Sequence, residues 1–530
     1  MNPEVVADLH RLIEGDVTLW CRYFLRQDLH AQYGFRSTAS YLHCLAEILL
    51  ARRAPLPRPP VIPDSLLAAL IARGAAGEPS FLDHVVRGLG SPEAKEGDDT
   101  EVESAVAHLL PLDLIRDTLR LRRRSAAELE AAKSNAFEQY LSYLDGLGLS
   151  RRSKNEGLRS ICIVGFHRSV LGVGEDARRL TDVLLALGYR IELIDLSSAH
   201  FPVSGEAPVY DAFEVRRPTA PVLIFCMPLS EISRVWASIY PNISAGRHVI
   251  AYAPWELTRL PRGCDLILAA CDEVWCSTSY QHEVYQAVAG AKARLVPFYV
   301  KAPDPERDAQ VSELLAGKFN LLFAFDFNSR IERKNPLGLV DAFQRAFPRR
   351  QTDVQLVLKT INAEANPAAF ELLIAAIGED DRVVVLDGDL PPSAMAYLIS
   401  ESDVFVSLHR AEGFGRLLAE AMLLGTLVIC TGHSGSRDFA KSDTALVVDH
   451  TLIPVAPEQY PLAAGHWAEP DLRHAASLMM QAYGDPTGGR VKREAARRFV
   501  ASRFGLAPVA ERIHAQIEAI LPREPESRKC

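Results

Sequence analysis

The chain has 530 residues, enough for about three to four ordinary domains. It is 48% hydrophobic and 24% charged, which excludes a wholly disordered or fibrous chain. A formal charge of −9, from 58 basic and 67 acidic residues, argues against a general nucleic-acid coat. No apolar run approaches the roughly 18 residues that cross a bilayer. The Met1-Asn2-Pro3-Glu4 start lacks the basic-then-apolar pattern of a secretory signal. Nine cysteines lie scattered through apolar stretches without a CxxC pair. The expectation is a cytoplasmic protein of several domains, with most thiols buried and neither a disulfide scaffold nor a zinc centre.

Residues 1–156 read as an all-helical N-terminal domain. Val5-Val6, Leu9, Leu12-Ile13, Trp20 and Tyr23-Phe24 recur at three-to-four spacing. A Pro-rich joint spans Pro55 to Pro60, and helix resumes after Asp64, a good N-cap. The acidic stretch from Ser91 to Glu103 reads as an exposed loop. Arg116, Arg120, Arg122, Arg123 and Arg124 follow on a helix. The bland reading is a solvated face; the sharper one is contact with anionic lipid headgroups or a lipid-diphosphate acceptor.

From 157 to 305 short apolar runs alternate with amphipathic helices. Strands are expected at Ile161 to Val164, Ile191 to Ile194, Val222 to Phe225, Val249 to Tyr252, Val274 to Cys276 and Leu295-Val296, with helices from Glu175 and Tyr280. The alternation restarts over 306–490. Leu321 to Phe325, Val354 to Leu358, Val383 to Leu386, Val404 to Ser407 and Leu427 to Cys430 read as strands. A helix from Pro336 has Asn335 as its cap. This predicts an α/β chain with two Rossmann-like parallel-sheet domains facing a cleft. Residues 491–530 read as C-terminal helices.

The segment from Val406 to Met422 carries the most chemistry. A strand ends, a Gly-rich loop turns at Glu412-Gly413-Phe414-Gly415, and a helix begins near Arg416. Its first N–H groups and dipole form an anion site. Glu420 is the single charge in the run Leu417 to Leu424, a costly placement unless something polar binds it. Glu412 and Glu420 straddle that helix start and suit a ligand with an anionic middle and hydroxyl-bearing ends. A structural glutamate paired to a distant arginine is the competing reading of Glu420.

The segment resembles the Glu-x7-Glu signature of family 4 retaining glycosyltransferases, which have the GT-B fold. Glu332-Arg333-Lys334-Asn335-Pro336 resembles the phosphate-binding segment that opens their second domain. Gly425 to Ile429 and Ser434 to Asp438 resemble the strand and turn after the signature. Gly172-Val173-Gly174-Glu175 resembles the first-domain glycine loop. Pro254-Trp255-Glu256-Leu257, Asp272 to Trp275 and Trp467-Ala468-Glu469-Pro470-Asp471 are similar to a bacterial polysaccharide-assembly branch. The resemblance covers about 158 to 520 and leaves the helical domain unmatched. Recruitment of acceptor, membrane or a second copy of the chain are the roles open to that domain.

The resemblance implies a metal-independent hexosyltransferase without a cofactor, whose donor is a nucleoside-diphosphate sugar and whose acceptor is a glycan, lipid-linked or protein. It implies work in surface glycan synthesis on the cytoplasmic side, with peripheral membrane contact an open question. Glu412 would contact hydroxyls of the transferred sugar, and Glu420 the donor ribose. Lys334 with Arg330 or Arg333 would neutralise the diphosphate, since the family's usual arginine position is Ser329 here. The backbone of Gly413, Phe414, Gly415, Leu417 and Leu418 would line the sugar–phosphate pocket. Gly172 and Gly174 would admit the diphosphate where a side chain would fill ligand space. Glu256 is the first-domain catalytic candidate, and His167 a further pocket residue. The family's usual pocket histidine is replaced by Trp255-Glu256. Asp387-Gly388-Asp389 reads as a turn rather than a metal bridge, and His409 and His433 lack partners at ligand spacing. The alternatives are a catalytically degenerate scaffold or nucleotide-sugar-binding protein, and, ranked lower, a sugar-nucleotide epimerase.

Overall fold

The computed structural model describes residues 159–521, less 198–206, 216, 236–242, 245, 261–263, 457–458 and 460–464. The expected helical domain, with its arginine cluster, lies outside the described residues.

The first half alternates strand and helix: β1 Ser160–Gly165, α1 Gly172–Ala186, β2 Arg190–Asp195, β3 Val222–Phe225, α2 Leu229–Arg234, β4 His248–Ala251, α3 Cys264–Ala270, β5 Glu273–Cys276, α4 Ser279–Ala289 and β6 Ala293–Leu295. All six residues of β1 and all four of β3 are buried. Strands covered on both faces read as unbroken apolar runs, which is why they were legible. The sheet is parallel, in the order β2-β1-β3-β4-β5-β6. Strand order reverses between β1 and β3, so a crevice opens beyond their carboxyl ends.

The second half runs α5 Ala309–Leu315, β7 Phe319–Asp326, α6 Ile331–Lys334, α7 Pro336–Ala346, β8 Val354–Ile361, α8 Pro367–Ile377, β9 Val383–Asp387, α9 Pro392–Glu401, β10 Val404–Ser407, α10 Arg416–Leu424, β11 Leu427–Thr431 and β12 Leu446–Val448. Its parallel sheet has the order β12-β11-β10-β7-β8-β9, so the reversal lies between β7 and β10. The two motif segments, Arg330 to Lys334 and Glu412 to Gly415, follow those two strands. Sequence order alone could not show them as neighbours.

An antiparallel hairpin, β13 His450–Pro454 with β14 His466–Pro470, was not among the expected strands. The chain ends with α11 Leu472–Gly484, α12 Pro486–Phe504 and α13 Leu506–Ile520. Helix α12 packs on α10, and α13 on α1. The Tyr189 hydroxyl donates to Glu518 at 2.8 Å, and Arg159 pairs with the same carboxylate. Where the chain passes between the sheets, Val300 N–H donates to the Phe504 carbonyl at 2.9 Å. Phe414 packs there against Phe298, Phe439 and Phe504, with ring centroids 5.5–5.7 Å away. The six described cysteines are buried and unbridged. No helix among the described residues is long and apolar enough to cross a membrane.

Candidate functional site

Helix α6 is one turn, held at both ends by residues with positive φ: Arg330 at 66° and Asn335 at 55°. Such conformations cost non-glycine residues energy and persist where surroundings enforce them. The Asn335 side chain caps α7 by accepting from Gly338 N–H at 3.2 Å, and donates to the Leu408 carbonyl at 2.9 Å. The turn so fixed presents Arg333 and Lys334. Arg330 turns elsewhere, donating to the Gln459 carbonyl at 2.9 Å. Arg333 donates to the Ser329 carbonyl at 3.2 Å, so Ser329 contributes backbone to the cationic residue beside it.

Lys334 pairs with Glu412, and Arg333 lies 3.5 Å from the other carboxylate oxygen. Arg333 also lies 3.6 Å from Glu256, which comes from the first sheet's side. Arg333, Lys334, Glu412 and Glu256 therefore form one cluster across the two halves. Burial alone would raise the Glu412 carboxyl; Lys334 and Arg333 outweigh it and hold the group at about 2. Burial lowers Lys334, against the pull of Glu412. The Glu412 N–H donates to the Ser434 hydroxyl at 2.8 Å, and Ser434 itself has a φ of 65°.

Gly415, with φ 88°, begins α10 in the left-handed region, and no side chain caps the helix. Leu418 N–H already donates to the Gly415 carbonyl at 3.0 Å, which leaves the N–H groups of Arg416 and Leu417 for a ligand or water. The Gly413 carbonyl accepts from Gln281 at 3.1 Å and from Thr278 at 3.3 Å, both on the first half. The Phe414 ring lies in the aromatic cluster and Leu418 is buried, while Leu417 is half-buried. Of these expected donor-binding residues, only the backbone can serve at Phe414.

On the facing side, Arg416 pairs with Asp176 of α1 and donates to the Tyr299 carbonyl at 3.2 Å. Burial works against the Arg416 charge, and Asp176 and Glu175 outweigh it. Glu420, one turn further along α10, is 9% exposed. Burial pushes its carboxyl up to about 8, against the pull of Arg416. Its ordinary value is 4.5. Between those values the folded chain keeps a proton that the unfolded chain releases, so stability falls as pH rises through that window. Glu420→Gln should match the parent near pH 5 and exceed it by about 3 kcal/mol above pH 8. Urea unfolding at both pH values checks this; an equal difference at both would mean Glu420 is ionised throughout.

In the glycine loop after β1, Gly174 has a structural reason of its own beside the expected role in binding. A Cβ on Gly174 would lie 2.3 Å from the Ser169 carbonyl oxygen and 2.7 Å from that of Phe166, whereas one on Gly172 meets nothing within 4 Å. Close approach at Gly174 is to the chain's own backbone. Gly174→Ala should cost about 2 kcal/mol, and Gly172→Ala little, as thermal unfolding would show. His167 is buried in that loop, its Nδ1 without a partner and its pKa lowered to about 3 by burial. His409 is held between the Ser407 and Ser436 hydroxyls at 3.0 and 3.2 Å. Asp387 ends β9 and the chain bends at Gly388, whose φ is 111°. Among the described residues, no group of three or more His, Cys, Asp or Glu is arranged to hold a metal ion.

Sequence reasoning missed Asp176, Gln281, Ser434 and the role of Arg416. A cation four residues before Glu420, on a helix whose other residues are apolar, was the available signal for Arg416.

Residues 322–453 match the sequence model of the family described as Glycosyl transferases group 1. No curated protein matches the chain. Among solved structures, a sucrose-phosphate synthase from Thermosynechococcus elongatus is similar at TM-score 0.51 and 17% identity, over 68% of this chain and 99% of that one. Anabaena HepE in complex with UDP-glucose gives 0.51 and 12%, over 68% and 99%. A glycosyltransferase from Rickettsia africae gives 0.50 and 13%, over 69% and 100%. The two facing sheets thus have the GT-B fold, and the second contains the segment that matches group 1 glycosyl transferases.

Proposed function

We propose that the chain is a retaining, metal-independent glycosyltransferase of family 4 that moves a sugar from a nucleoside-diphosphate sugar to an acceptor. One observation carries the reading: Arg333, Lys334 and Glu412, from the second sheet's reversal point, meet Glu256 from the first. Residues 306–490 would hold the donor and 157–305 the acceptor. Donor binding recruits Lys334 from Glu412 to the diphosphate, which frees Glu412 to accept from sugar hydroxyls. As the glycosidic bond breaks, charge grows on the leaving diphosphate. Lys334, Arg333 and the α10 N-terminus stabilise it there. Glu420 bonds the ribose, and the leaving phosphate helps deprotonate the acceptor. UDP is the first nucleotide to test, because a structural neighbour holds UDP-glucose. The acceptor class is a lipid-linked, protein or growing surface glycan on the cytoplasmic side.

The test is a thermal-shift panel of UDP, GDP, dTDP, ADP and CMP with matching sugar conjugates, with and without EDTA, followed by donor turnover. A ligand at about 100 times its dissociation constant adds about 2.7 kcal/mol. One selective shift that survives EDTA, with turnover of the matching donor, supports the reading. Silence from every nucleotide sinks it, in favour of a degenerate scaffold.

A further inference from the structure

Arg410 stands two residues before Glu412, and its side chain joins three segments. Nε and Nη2 fork onto Glu469 of β14 at 2.6 and 2.9 Å, and Nη1 donates to the Glu332 carbonyl at 2.7 Å. Its backbone N–H donates to the Arg333 carbonyl at 2.8 Å, and its carbonyl accepts from Ala468 N–H at 2.9 Å. The guanidinium lies 5.7 Å from the ring centroid of Trp467. That indole is buried with Ala411, beside Glu412, and with Leu257, beside Glu256.

Helix α6 needs such a brace. A single turn has no stability of its own, its flanking residues are strained, and its last carbonyls have no partners within the helix. Arg410 satisfies two of those carbonyls at once. We propose that the Arg410–Glu469 fork positions α6, setting Arg333 and Lys334 where a donor diphosphate needs them. The β13–β14 hairpin ties that setting to the first-domain loop at Leu257. The inference rests on the reading of the site given above. Lysine cannot replace the fork, because a point charge lacks the planar N–H geometry that reaches a carboxylate and a carbonyl together. Outside the fork lies a cavity of about 340 Å³, lined by Arg410, Glu469, Leu337, Leu372 and Leu472 among others. It can admit water or a small cation when the side chain is shortened.

The experiment compares the parent with Arg410→Lys, Glu469→Gln and Arg410→Ala. It follows two readouts: the acetylation rate of Lys334 by peptide mass spectrometry, and kcat and donor KM. Lys334 should label about tenfold faster in each variant as α6 opens locally. The kcat should fall about 100-fold, because an ångström of misplacement costs that much, while donor KM changes less. Millimolar guanidinium should restore part of the Arg410→Ala rate through the cavity. Parental turnover with unchanged Lys334 labelling in the variants would overturn the fork alone. A parent that turns over no donor would overturn the reading of the site and the fork's role with it.

Discussion

Lys334→Ala is expected to lower donor turnover by about 10³-fold, the loss typical of removing one preorganised group aimed at developing charge. The same change should destabilise the chain by about 3 kcal/mol, because breaking a buried pair strands the remaining charge. Glu412 would keep Arg333 alone, 3.5 Å away, and its carboxyl would rise from about 2. Pairing Lys334→Ala with Glu412→Gln should return most of the stability and none of the turnover. Single-turnover assays and urea unfolding separate the two effects. A Lys334→Ala chain that turns over donor like the parent would reduce Lys334 to a structural cation. The pH dependence has a definite sign. A carboxyl held at about 2, below its ordinary 4.5, contributes stability that is present above 4.5 and lost as pH falls toward 2. The contribution should be absent from the double variant.

Arg416→Ala should cost about 3–5 kcal/mol, since it leaves Asp176 buried without its cation. Arg416 is 13% exposed and Asp176 11% at the side chain, so water cannot fully replace the lost partner. The guanidinium also stacks near Phe298 and Phe414, 5.6 and 6.0 Å from their ring centroids, and that packing goes with it. Arg416→Met with Asp176→Leu should recover most of the loss, because both desolvation costs vanish together. The singles should also loosen the contact between the halves, raising the radius of gyration in solution scattering while the double variant stays near the parent. Equal losses in single and double variants would mean that the pair adds only packing.

The legible parts of the fold were those where local chemistry repeats along the chain. Strands β1, β3, β10 and β11 are mostly apolar runs in which every residue is buried, and Asn335-Pro336 announced α7. Strand β13 escaped notice because it is exposed or half-buried throughout and ends in a proline. The site divides the same way. Lys334 and Glu412 were visible as separate motifs, but they are 78 residues apart and meet only because β7 and β10 are adjacent. Arg416 and Asp176 are 240 residues apart and lie in different sheets' helices, so no pattern in either segment announces the pair. At Gly174 the family resemblance implied that a side chain would be unwelcome because of a ligand, and the fold shows the chain's own backbone atoms that exclude it.

The bond between Val300 and Phe504 bears on how the halves can move. The described chain passes from the first sheet to the second near residue 300 and returns at Gly505, and those two passages are hydrogen-bonded to each other. Two adjoining crossings define one line between the halves, and the hydrogen bond that joins them lies on it. Were the halves to open like a book bound at that spine, the bonds from Gln281 and Thr278 to the Gly413 carbonyl would have to break as well. Glu256 and Arg333 lie on facing pages, and a small rotation at the spine is enough to part them.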